Sequence, residues 1–124
     1  MLTLKHVIAA IILVLSFAAP VAAGPLEDAV AAAARGDYAT ALRLWRPLAD
    51  QGNALAQRNL GFMYANGQGV PQDYVRAYMW FNLAAAQGLQ GAEEDRDQVA
   101  QQMTAAQIAE AQSLSREWRP RPER

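Results

Sequence analysis

A chain of 124 residues with a formal net charge of −1 and no cysteine is at most one small domain, without a disulfide framework, a thiolate nucleophile or an acylation site for a lipid anchor. Its basic residues are scattered singly until the last nine positions, so the concentrated basic face of a nucleic-acid module is missing. The one histidine is His6, and beyond it there is neither His nor Cys, which excludes Ser-His and Cys-His catalysis and most transition-metal sites there; no catalytic residue, cofactor or metal ligand is assigned.

Lys5 and His6 precede an almost wholly apolar run from Val7 to Ala19, followed by Pro20 and the small residues Val21-Ala22-Ala23 before Gly24. This is the pattern of a secretory signal over residues 1–23, with cleavage expected after Ala23. The run is short of the ~20 residues of a spanning helix and ends in a helix breaker, so a retained anchor is the lesser alternative. Membrane contact is expected only before cleavage, and the chain is expected in the periplasm or outside the cell. Without the leader, ten Arg stand against twelve carboxylates, a net charge of −2. A small exported chain with no disulfide must be held by packed helices, here expected over residues 24–118 with a flexible Arg/Pro tail at 119–124.

Pro25 to Arg35 reads as a short Ala-rich helix closed by Gly36. The segment "DYATALRLWRPLADQG" from Asp37 then lies over "DYVRAYMWFNLAAAQG" from Asp73 without a gap, at an offset of 36 residues. Periods of this size mark stacked supersecondary units. Both copies open with an Asp suited to an N-cap and close at Gly, and in both the apolar residues step by three and four along one helical face. Pro47 removes one backbone bond and is expected to bend the first copy near its end.

Between the copies, Asn53 is expected to cap a helix through Ala56, Leu60, Met63 and Tyr64 that ends at Asn66-Gly67, followed by the turn "NGQGVPQ". Downstream, Gly91 to Met103 reads as another helix with Glu93, Glu94 and Asp95 in its first turn. Thr104 and Gln107 form a capping box for a last helix ending near Trp118. The helix from Asp73 carries a second apolar surface of Val75, Met79, Trp80, Leu83 and Ala86 and belongs in the middle of the stack, whereas Arg43 and Arg46 on the far side of the helix from Asp37 mark an end.

These residues resemble the Sel-1-like repeat, a relative of the tetratricopeptide repeat. The pattern is carried by Ala56, Leu60-Gly61, Tyr64, Gly67-Gln68-Gly69-Val70, Asp73, Ala77, Trp80, Ala84-Ala85 and Gly88. "ALRLWRPLADQGNA" is similar to the second half of a preceding repeat, and the C-terminal pair to a degenerate third. The resemblance implies an all-α fold, a short right-handed solenoid of three antiparallel helix pairs, and a scaffold that contacts another protein or peptide. Some secreted, Cys-rich members are associated with β-lactam binding or hydrolysis; this chain lacks every cysteine, and that activity is not carried over.

Small residues at Gly61, Ala77 and Ala85 suit close helix approach, with Tyr38, Trp45, Tyr64, Tyr74, Phe81 and Trp118 as core aromatics. Glu93 and Asp97 are spaced to share a face, as an acid pair or as a solvated helix start. Leu55, Arg58 and Phe62 lie roughly opposite Leu60 and Tyr64, either as a contact with the first hairpin or as the wall of an open groove. Arg58 and Phe62 are the candidate partner-binding residues. The expected function is a non-catalytic exported interaction module; a cell-wall or β-lactam hydrolase and a self-assembling structural module are the alternatives.

Overall fold

The computed structural model describes residues 24–122. The expected leader, residues 1–23, lies outside the described residues, as do 123 and 124. The described chain is all-α: α1 (Pro25–Ala34), α2 (Tyr38–Asp50), α3 (Ala54–Asn66), α4 (Tyr74–Ala86), α5 (Ala92–Ala100) and α6 (Ala105–Glu117). None of these helices is long and apolar enough to cross a membrane.

Local chemistry sets the boundaries. Asp37, Asn53 and Asp73 each accept the backbone N–H three residues on, from Thr40, Ala56 and Arg76, so three helices start on the same side-chain cap. At Asp37 the Thr40 hydrogen bonds, with Arg35 and Arg43 nearby, hold the carboxyl below the usual carboxylate range. The capping box of α6 closes both ways, Thr104 Oγ1 accepting from Gln107 N and Gln107 Oε1 from Thr104 N. Gly67 ends α3 in the left-handed conformation at φ 64°, and its N–H donates to Met63 O. α2 runs on through Pro47 to Asp50.

α5 is shorter than the expected span to Met103. Gln101, Gln102 and Met103 donate instead to carbonyls three residues back, a tighter turn that brings Thr104 to the extended backbone it needs as a cap.

α1 pairs with α2 and α3 with α4, while α3 rests on α2. α4 is the centre of the stack: it packs on α3, α5 and α6, so the last two helices are joined chiefly through it. Its buried residues Ala77, Tyr78, Trp80, Phe81 and Ala84 cover more than one face, as its two apolar surfaces foretold. One buried polar side chain crosses the hairpins: Gln57, 0% exposed, donates to Ala49 O of α2 and accepts from Gln87 beyond α4. Gln87 also donates to Gly52 O. A buried amide that links its own helix to partners on two other elements sets the register between repeats, since any slip leaves its polar atoms unpaired.

Arg46 departs from expectation. It does not lie on a solvent side of α2; its Nη2 donates to Tyr64 OH at 2.6 Å and its Nε is buried. Residues 119–122 are exposed, yet the segment is tied down where the Arg121 N–H donates to Asp50 O at 2.7 Å. Trp118 meets Trp80 edge to face, with ring centroids 6.4 Å apart.

Candidate functional site

The site begins with the close approach of α3 and α4. A Cβ on Gly61 would stand 2.5 Å from Phe81 Cε1, so only glycine lets the helix backbone meet the ring. Phe81, 1% exposed, thereby becomes the floor between α3 and α5. Phe62, the next residue on α3, stands edge-on to it at 5.0 Å between centroids and remains 36% exposed.

Beside these rings is a groove of about 290 Å³. Phe62 and Asn66 of α3 form one wall, Asp95, Gln98 and Gln102 at α5 the other, and Phe81 and Tyr74 of α4 the base. The walls carry three amides, which donate and accept, interspersed with the apolar Ala65 and Val99, over an aromatic base.

The two residues expected at a partner surface come together here. The Arg58 guanidinium carbon is 5.4 Å from the Phe62 ring centroid. Arg58 is nevertheless engaged inside the chain: its Nε donates to Asp95 Oδ2 at 2.7 Å across the α3–α5 gap, with the side chains 30% and 14% exposed. At Arg58 the face open to two readings, a contact with the first hairpin or a groove wall, looks toward α5. The Arg58–Asp95 pair ties α3 to α5 at the groove's edge, where Asp95 lines the wall and Phe62 stays partly open to solvent. Leu55, 40% exposed, is not among the groove's lining residues.

Glu93 and Asp97 do not form an acid pair. Both reach Arg96, at 3.6 and 3.0 Å, and Arg96 also donates to Asn82 of α4. Among the described residues no cluster of three or more His, Cys, Asp or Glu could hold a metal ion. The turn with Gly67 and Gly69 is structural: Gly69, at φ 73°, sits where a Cβ would be 3.0 Å from Tyr38 O, and Gln68 donates to the Tyr38 hydroxyl.

The Gln98 and Gln102 wall and the Asp95 tie to Arg58 escaped sequence reasoning. A Gln on an exposed helix looks the same whether or not another helix stands opposite, so only the placement of α5 reveals them.

The family model for the Sel1 repeat matches residues 32–53 and 54–89. Residues 32–89 are Sel1-like repeats. The second match spans α3, the Gly-rich turn and α4, one whole repeat; the first begins near the end of α1 and takes in α2. The groove therefore lies where the complete Sel1 repeat meets α5. Among solved structures the chain is similar to a protective antigen of uropathogenic Escherichia coli strains displaying an SLR fold, at 31% identity and a TM-score of 0.70. The match covers 76% of this chain and 21% of that one, so the chain spans about a fifth of that protein's length. No curated protein matches the chain.

Proposed function

We propose that this Sel1-repeat chain is a non-catalytic interaction module that seats a peptide segment of another protein in the groove between α3 and α5. The observation that carries the reading is Phe62, an aromatic anchor left 36% exposed beside a cavity with an aromatic base. The groove suits an extended, uncharged segment with one apolar side chain. That side chain would enter against Phe62, Phe81 and Tyr74, while Asn66, Gln98 and Gln102 offer hydrogen bonds to its backbone. Asp95 adds little net charge, because Arg58 already neutralises it.

The non-catalytic part of the reading is supported by the residues themselves. Nothing beyond His6 carries an imidazole or thiol, and Arg96 takes both Glu93 and Asp97. Export to the periplasm or beyond belongs to the same proposal and is supported by the leader-like pattern of residues 1–23.

The test is a peptide selected for binding to the purified protein, titrated against wild type and against Phe62→Ala. The proposal expects resonances of Phe62, Gln98 and Gln102 to shift, and the variant to lose about 2 kcal/mol or more of binding. Selected peptides that shift none of these residues, or that bind the variant equally well, refute it.

A further inference from the structure

Two neighbouring cavities lie on another flank of the molecule. On α3, Tyr64 is two positions from Phe62 and therefore on a different side of the helix. Its ring draws in two guanidinium groups: the central carbons of Arg46 from α2 and Arg76 from α4 are each 5.9 Å from its centroid. A cavity of about 220 Å³ touches both arginines and is otherwise lined by Tyr64, Met79, Trp80 and Leu114. It shares Arg46 and Trp80 with a neighbouring cavity of about 500 Å³, which adds Arg119 and Arg121 along with Asp50 and Glu117.

The charges here are unbalanced. Arg46 has no carboxylate within 4.0 Å among the described residues, and its buried Nε has no hydrogen-bond partner. Among the described residues Arg76 pairs only with Asp73, three residues away at 3.3 Å and well exposed, a contact that an anion can share. Two cations gathered at one ring repel each other, more strongly beside the buried indole of Trp80 than they would in water. The ring face offsets part of this repulsion, and an anion between them offsets more.

The rest of the wall says what else the anion carries. Met79 and Leu114 are apolar, and Leu114 is left exposed at the rim, so the charged group arrives attached to something aliphatic. We propose that this cavity is a second binding site for a carboxylate borne next to an aliphatic side chain, as at the C-terminus of a peptide ending in leucine. The carboxylate bonds to Arg46 and Arg76, and the aliphatic group lies against Met79, Trp80 and Leu114. The site uses different residues from the α3–α5 groove and stands or falls independently of it.

The experiment titrates the purified protein with N-acetyl-Ala-Leu-Leu bearing a free carboxylate, following the Trp80 indole N–H and the Arg76 Nε–H by NMR. A C-terminal amide of the same peptide and N-acetyl-Leu-Glu-Leu-amide separate the two carboxylate sources. The free acid shifts both resonances saturably below ~10 mM, and the amide binds about tenfold more weakly, the worth of a charge-assisted hydrogen bond. Binding weakens as salt rises from ~0.05 to ~0.5 M. Arg76→Gln, an exposed change that spares the fold, weakens the acid about tenfold, whereas Phe62→Ala leaves it unchanged. Equal binding by the glutamate peptide assigns the carboxylate to a side chain and upholds the site. Amide and acid binding alike, no saturable shift from either carboxylate probe, or full affinity in Arg76→Gln overturns it.

Discussion

Gly61→Ala sets two effects against each other within one methyl group. Replacing glycine inside a helix favours folding by about 1 kcal/mol through the lost freedom of the unfolded chain. Against this, the new Cβ would stand 2.5, 2.6 and 2.9 Å from Phe81 Cε1, Cδ1 and Cζ. Carbon contacts are comfortable near 3.5–4.0 Å, so the ring must retreat by about 1 Å. It has little room: Phe81 is 1% exposed, and the edge of Phe62 abuts it. Overpacking of this kind costs about 1–3 kcal/mol, so the net expectation is a loss of about 1 kcal/mol, and of more for Gly61→Leu. For a domain of this size that lowers Tm by about 5 °C. Thermal unfolding followed by circular dichroism measures the loss. Adding Phe81→Leu should recover part of it, with a coupling of at least about 0.5 kcal/mol in the double-mutant cycle. A Tm that stays level or rises in Gly61→Ala, or strict additivity with Phe81→Leu, would refute the claim that glycine there exists to admit the ring.

Other variants probe the remaining joints. In Gln57→Leu the Ala49 carbonyl and the Gln87 amide lose a buried partner, and chemical denaturation should show a loss of about 1–3 kcal/mol. A double-mutant cycle on Arg58→Ala and Asp95→Ala should give a favourable coupling near 1 kcal/mol that shrinks with salt; zero coupling would mean the pair does not hold α5 to α3. Since the Asp37 carboxyl titrates lower folded than unfolded, its contribution is complete above the unfolded carboxylate pKa and is lost as pH falls through the folded value. Asp37→Asn keeps the cap without the charge, so the variant's stability should fall less than wild type's on acidification below pH ~4.

What could be read in the residues was whatever local chemistry decides. Asp37, Asn53, Asp73 and Thr104 announce their helices because a cap bonds three residues along its own chain, and Gly67 because its backbone angle excludes most other side chains. The central place of α4 followed from apolar residues on more than one face. What could not be read depends on distance in the chain. Arg58 and Asp95 are separated by 37 positions, and their pairing needs the rotation of one hairpin on the next. Arg46 looked like a solvent-facing residue because the Tyr64 hydroxyl that receives it belongs to the following repeat. The burial of Gln57 has no local signal for the same reason: its partners lie at the ends of α2 and α4. The groove shares this origin, since Gln98 is on α5, Gln102 just beyond it and the aromatic base on α4.

The α3–α5 groove can be tested in the native setting with a photo-cross-linking residue placed at Gln98, on its wall, and in a parallel protein at Arg43, exposed on α2. The account predicts one discrete adduct from position 98, none of the same mass from position 43, and loss of the position 98 adduct in Phe62→Ala protein that still melts cooperatively. An adduct that forms equally at both positions, or that persists unchanged without the Phe62 ring, would contradict it.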